Sequence, residues 1–136
     1  MKKVLILCTG NSCRSQMADA WLSYFTSDNI EVYSAGTKPE KVNPYAVKVM
    51  DLEGIDISSN TSNNVDEYKD IEFDYVITVC DNAKEICPIF PSSVQMIHNS
   101  FLDPAKVKGT EEELIKVYSE VSRDLKNFMQ QFSKDI

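Results

Sequence analysis

The chain reads as blocks whose apolar spacing switches between short continuous runs and a helical period. Val4-Leu5-Ile6-Leu7 is an uninterrupted apolar run and predicts a short buried strand. Met17, Ala18, Trp21, Leu22 and Phe25 then fall at helical spacing, which predicts a first helix over Ser15 to Phe25, closed by the polar cluster Thr26-Ser27-Asp28-Asn29. Ile30 to Tyr33 predicts a second strand, followed by Ser34-Ala35-Gly36-Thr37 and a charged loop with Pro39. Asn43-Pro44 is a helix start, with Asn43 as the cap and Pro44 in the first helical position. Val47, Met50 and Leu52 are its candidate core residues, and Gly54 stops it. Ile55 and Ile57 read as a brief strand or an anchored extended loop. Ser58 to Asp70 is polar, with a short helix expected around Asn64 to Tyr68.

Phe73 to Val79 is the clearest strand after the first. Asp81 to Cys87 reads as a turn or short helix, and Pro88 and Pro91 enforce irregular backbone after it. Val94 to Ile97 predicts a fourth strand, and Asn99 to Gly109 a loop. The last helix is the best defined. Thr110 caps it, Glu113 completes a capping box, and Leu114, Val117, Tyr118, Val121, Leu125, Phe128, Met129 and Phe132 form its stripe. Strands alternating with helices predict an α/β three-layer sandwich around a parallel sheet with right-handed crossovers. Ligands of such sheets bind beyond the carboxyl ends of the strands, where both Cys8 and Cys80 fall.

Composition narrows the function. With 136 residues and 43% apolar content, the chain suits a single domain over residues 1–136 with a real core, not a disordered chain. Its apolar runs are too short to span a membrane, and no signal peptide is expected, which predicts a cytoplasmic protein. A net charge of -7 argues against a nucleic-acid surface but leaves room for a small anion held by local N–H groups. The lone His98 does not make a typical zinc site. Four cysteines, Cys8, Cys13, Cys80 and Cys87, in a chain with no export signal point away from structural disulfides and toward catalytic or redox use.

The chemistry gathers in Cys8-Thr9-Gly10-Asn11-Ser12-Cys13-Arg14-Ser15. Between a strand and a helix, this spacing can curl the backbone into a cup whose N–H groups point inward. The helix adds its free N-terminal N–H groups and positive dipole end. Arg14 adds a planar, permanently charged fork suited to a tetrahedral oxyanion. A cysteine at the mouth of that cup is expected to have a depressed pKa and to attack as a thiolate. The bland alternative is a small buried hydrophobe at a strand end. Gly10 and Asn11, side by side, favour the cup because both tolerate unusual backbone angles.

This stretch resembles the phosphate loop of the low-molecular-weight protein tyrosine phosphatases. Through Gln16-Met17-Ala18 it is more similar to the thioredoxin-coupled arsenate reductases built on that fold, since the phosphatases usually continue with proline where Gln16 stands. The resemblance implies four parallel strands in the order 2-1-3-4. It also implies that residues 9–15 of the loop (Thr9, Gly10, Asn11, Ser12, Cys13, Arg14 and Ser15) bind the oxyanion, that Asn11 steadies the loop, and that Ser15 hydrogen-bonds the Cys8 sulfur.

From residue types alone, Cys80 and Cys87 read either as coincidental thiols or as a redox pair; their spacing fits neither a zinc site nor a Cys-x-x-Cys motif. The resemblance implies a relay. Cys8 attacks arsenate, Cys80 attacks Cys8 as arsenite leaves, and Cys87 attacks Cys80 to leave a Cys80–Cys87 disulfide that thioredoxin reduces. Cys13 is expected to pack or support the loop.

Asp103, next to Pro104, is the candidate general acid, held in one place by the restricted backbone before proline. Ala105 and Lys106 follow, so the tyrosines that commonly wall a phosphotyrosine slot in the phosphatases are missing. Some reductases bind potassium; the matching positions are Asn11, Asp19, Ser34 and Asn63, where Asn63 replaces a carboxylate and predicts a weak site. No tightly bound cofactor is expected. The expected partners are arsenate, with phosphate or sulfate competing, and thioredoxin, with no nucleic acid or membrane; the family's members are generally monomers. The runner-up activity is hydrolysis of phosphomonoesters through a Cys8 thiophosphate. A third reading, an anion sensor without turnover, is disfavoured by the presence of Asp103 and the full cysteine set.

Overall fold

The computed structural model describes residues 2–26, 30–80, 90–91 and 93–136. Four strands, β1 (Lys2–Cys8), β2 (Ile30–Gly36), β3 (Tyr75–Thr78) and β4 (Gln95–His98), form one sheet in the order β2-β1-β3-β4. Every pairing is parallel. Helices α1 (Arg14–Phe25), α2 (Pro44–Leu52) and α3 (Glu111–Asp135) flank the sheet, with 3-10 turns at Val65–Tyr68 and Pro104–Lys106. The predicted strand order and α/β architecture are those observed.

β1 is the centre of the core. Val4 to Cys8 are all buried, so both faces of the strand are covered, as a parallel sheet requires. This is why the sequence shows an unbroken apolar run there and not an alternation. The helices lock to one another through a polar relay inside the apolar packing. Trp21 of α1 donates to the Ser122 hydroxyl of α3 at 3.0 Å, and Ser122 donates to the Met50 sulfur of α2 at 3.5 Å. The capping box predicted for Thr110 with Glu113, and the cap at Asn43, are present. A second capping box, Asn64 with Glu67, opens the 3-10 turn in the polar stretch.

Several boundaries differ from the pattern. β2 runs three residues past Tyr33, because Ser34, Ala35 and Gly36 pair with Ile6, Leu7 and Cys8. Small residues are poor strand formers, but here they let another segment approach. Ile57 is buried without forming a strand, which is the anchored-loop alternative. Leu52 is 69% exposed and is not a core residue; it ends α2 on the solvent side. β3 is shorter than Phe73 to Val79, although both end residues are buried. The expected turn or helix over Asp81 to Cys87 lies outside the described residues.

Candidate active site

The carboxyl ends of β1 and β3 create the site. Leu7 pairs with Thr78, and the Val79 N–H donates to the Leu7 carbonyl at 3.1 Å. Cys8 and Cys80, each just beyond that last pair, are thereby brought together. Their sulfurs are 3.0 Å apart, and both residues are buried.

From Cys8 the chain turns back into α1, and residues 37–43 wrap its outer side. The Thr37, Lys38, Glu40 and Asn43 N–H groups donate to the carbonyls of Cys8, Thr9, Gly10 and Ser12, at 2.8–3.3 Å. A trans peptide carries its C=O and the next N–H on opposite sides. Tying these carbonyls outward therefore turns the N–H groups of Thr9, Gly10, Asn11 and Cys13 to the inside. Asn11 makes the sharpest bend, with φ 47° in the left-handed region. Helix α1 begins at once, and its N-cap residue Cys13 offers no side-chain hydrogen bond, so the helix N-terminus is left for a ligand.

Gly36 makes this wrapping possible. A Cβ there would sit 2.9 Å from the Asn11 nitrogen and 3.1 Å from the Gly10 carbonyl carbon, and closer still to the Thr9 carbonyl oxygen. Its φ is not positive, so the residue is glycine for space and not for backbone freedom.

Arg14 lies at the cup's rim. One guanidinium nitrogen donates to the Phe101 carbonyl at 3.0 Å, and another pairs with the Asp103 carboxylate at 3.3 Å. The second Asp103 oxygen accepts from the Ala105 N–H at 3.1 Å. Arg14, Cys80, Phe101, Asp103 and Lys106 line one cleft.

The electrostatics of Cys8 depart from expectation. The hydrogen bond with Cys80 and burial push its thiol pKa up, against the lowering effects of the Arg14 charge and the Thr9 N–H. The predicted depressed pKa is thus not that of the resting site, because a second sulfur shares the proton. Cys13 is buried and pushed up to about 12, by burial first and then by the Asp103 charge. That is an inert thiol, consistent with packing.

Ser15 does not serve the Cys8 sulfur as predicted. Its hydroxyl donates to the Asn11 side-chain oxygen at 2.8 Å. Asn11 in turn donates to the Ser34 carbonyl at 3.4 Å, so it does anchor the loop.

Three of the four potassium positions, Asp19, Ser34 and Asn63, line one cavity. The Asn11 side-chain oxygen accepts from Ser15 at 2.8 Å and lies 3.3 Å from the Gln16 amide nitrogen. The Asn63 oxygen accepts from Thr61, and its amide donates to Glu67. Asp19 is held by the Ser34 and Ser23 hydroxyls, and burial pushes its carboxyl up to about 6.

Cys87 lies outside the described residues. The wrapping loop 37–43 and the contacts of Gln16 and Ser62 carry no motif that sequence reasoning could find; the Gly36 that admits the loop was the one visible signal.

Residues 3–136 match the family model described as low molecular weight phosphotyrosine protein phosphatase. An arsenate reductase of Halalkalibacterium halodurans is 44% identical over 131 residues, covering 93% of this chain and 94% of that protein. Two solved structures superpose along the whole length. An arsenate reductase in the oxidized state has TM-score 0.85 and 27% identity, covering 99% of this chain and 98% of the other. An arsenate reductase in the phosphate binding state has TM-score 0.81 and 28% identity, covering 100% and 99%. By its loop, its sheet order and these end-to-end matches, the chain belongs to the low molecular weight phosphotyrosine protein phosphatase family, alongside that family's arsenate reductases.

Proposed function

We propose that this protein reduces arsenate to arsenite by a thiol relay that begins at Cys8 and passes through Cys80. The observation that carries this reading is the 3.0 Å approach of the two buried sulfurs. Hydrolysis through a thiophosphate needs no second thiol against the nucleophile, and a disulfide between these two needs a sulfur displacement of only about 1 Å.

The approach of the two sulfurs supports the steps as far as Cys80, and the resemblance supplies the step at Cys87. Arsenate enters the cup against the inward N–H groups of residues 9–15 and the Arg14 fork. Cys8 passes its proton to the Asp103 carboxylate beside Arg14 and attacks arsenic, and Asp103 returns that proton to one arsenate oxygen, which departs as water. Cys80 then attacks the Cys8 sulfur, and its proton leaves with the arsenite. The sulfur–arsenic bond breaks with its electron pair going to arsenic, which leaves as arsenite, and a Cys8–Cys80 disulfide remains. Two thiols have been oxidised by two electrons and As(V) reduced to As(III), so the step balances. Cys87 attacks Cys80, frees Cys8, and leaves the Cys80–Cys87 disulfide for a thioredoxin to reduce. Recycling by thioredoxin implies work in a reducing compartment, the cytoplasm, and the family resemblance supports a single-domain monomer.

The same cup accepts phosphate, which has arsenate's shape and charge, so slow aryl phosphate hydrolysis accompanies the main activity. After Asp103-Pro104 the chain continues with Ala105 and Lys106, and not with the tyrosines that commonly wall a phosphotyrosine slot.

The test is arsenite formation from arsenate with thioredoxin, thioredoxin reductase and NADPH. Sustained turnover that collapses in Cys87→Ser, with aryl phosphatase activity retained, is the expected result. Turnover unchanged in that variant, or phosphatase activity without arsenite, overturns the relay.

A further inference from the structure

Asn11 holds the least favourable backbone conformation of the cup, and its two oxygens show what keeps it there. Its carbonyl accepts from the Gln16 amide at 3.0 Å and from the Ser62 hydroxyl at 2.7 Å. Its side-chain oxygen accepts from Ser15 at 2.8 Å and from the same Gln16 amide at 3.3 Å. The Gln16 amide also donates to the Thr61 carbonyl at 3.1 Å, and its own oxygen accepts from Asn60 at 3.2 Å. The amino end of Gln16 faces three acceptors, its two hydrogens directed at the Asn11 and Thr61 carbonyls and the 3.3 Å contact a shared one, so the amide's orientation is determined by its neighbours. Gln16 is 1% exposed, although nothing in an apolar stripe calls for a buried amide in the first turn of α1.

We propose that Gln16 is a positioning residue for oxyanion binding: its amide clips the left-handed Asn11 to the loop at Thr61 and so fixes the inward N–H groups of the cup. Backbone N–H groups bind a tetrahedral anion well only when they converge beforehand. Asn11 sits between the two halves of the cup, so loosening it spreads those groups apart. The proposal rests on the reading of the cup as an oxyanion site, but not on arsenate being reduced there.

The probe is inorganic phosphate, its binding measured by titration calorimetry on the full chain. Gln16→Met keeps the length and burial of the side chain and removes its donors. The expected result is an approximately tenfold weaker phosphate affinity and a matching rise in KM for arsenate, with kcat changed less than about threefold. A purely structural role for Gln16 lowers the melting temperature without moving the phosphate affinity, and that result overturns the proposal. Ser62→Ala removes the other donor to the Asn11 carbonyl and is expected to weaken phosphate in the same direction by about two- to fivefold. It decides the matter if Gln16→Met does not fold. Phosphate binding that follows these expectations, in a protein that forms no arsenite, refutes the relay and leaves the role of Gln16 standing.

Discussion

Replacing Gly36 by alanine tests whether the cup is shaped from outside. The added Cβ stands 2.9 Å from the Asn11 nitrogen, which is about 0.5 Å short of ordinary contact at 3.4 Å. The atoms it meets are backbone, of Thr9, Gly10 and Asn11, so no flexible side chain can swing away. Gly36 itself is held on the other side, by its pairing with Cys8 and by its N–H bond to the Asn63 carbonyl at 2.8 Å. The relief therefore falls on the anion loop, which must shift by about half an ångström to one ångström. A misplacement near 1 Å can cost about 10²-fold in rate, and overpacking of this kind costs about 1–3 kcal/mol of stability. Gly36→Ala is expected to fold with a lowered urea midpoint and to lose about 10- to 100-fold in kcat/KM for arsenate. Phosphate affinity measured by calorimetry is expected to fall with it. A folded variant with kcat/KM and phosphate affinity both within twofold of wild type refutes the reasoning, because the loop would then be indifferent to the segment behind it.

The same site makes further commitments. Cys80→Ala removes the hydrogen bond that most strongly raises the Cys8 pKa and leaves the Arg14 charge and the Thr9 N–H, which lower it. The pH profile of Cys8 alkylation by iodoacetamide is then expected to move to lower pH. An unchanged or higher midpoint contradicts the shared-proton account. Cys13, pushed up to about 12 and buried, is expected to stay unmodified in the same reaction at pH 8, as peptide mass mapping would show. Asp19 supplies a stability test. Its carboxyl is raised from 3.8 to about 6 by burial, so the folded state binds that proton more tightly than the unfolded chain does. The stability this provides is complete below about pH 4 and is lost as pH rises through 6. In choline buffer, Asp19→Asn is expected to melt about 2–6 °C above wild type at pH 7 and level with it at pH 4. Equal melting temperatures at both pH values defeat this account.

What the sequence discloses and what it hides divide along physical lines. β1 was visible because both its faces are buried, and α3 because its stripe is regular and its capping box is local. The strand order came through resemblance, since nothing in a residue pattern states which strand neighbours which. Cys8, Arg14, Cys80 and Asp103 were legible because each has an unusual chemistry at the end of a predicted element. The partners of the loop were not. Ser15 and Gln16 are buried polar residues in the first turn of α1, and hydropathy reads such positions as solvent-facing. The depressed Cys8 pKa was an expectation about one cysteine in a cup; the structure places a second sulfur against it. Asn63 was matched to a cation ligand by position, yet its side chain is engaged with Thr61 and Glu67, and such engagement is invisible before folding.

That second sulfur is a consequence of topology. In the order β2-β1-β3-β4 the strand carrying the nucleophile is paired directly with β3, and the parallel register makes their carboxyl ends coincide. Any residue that immediately follows Thr78 and Val79 must lie beside the residue that follows Leu7. A hydrolytic enzyme on this sheet can place any small side chain there. A thiol at that position instead turns the covalent adduct into one that a neighbour can attack at sulfur, which redirects the electron pair to the central atom. In the proposed mechanism reduction and hydrolysis share the cup, the Arg14 fork and the Asp103 acid, and they first part at the position beside Cys8 that strand register sets.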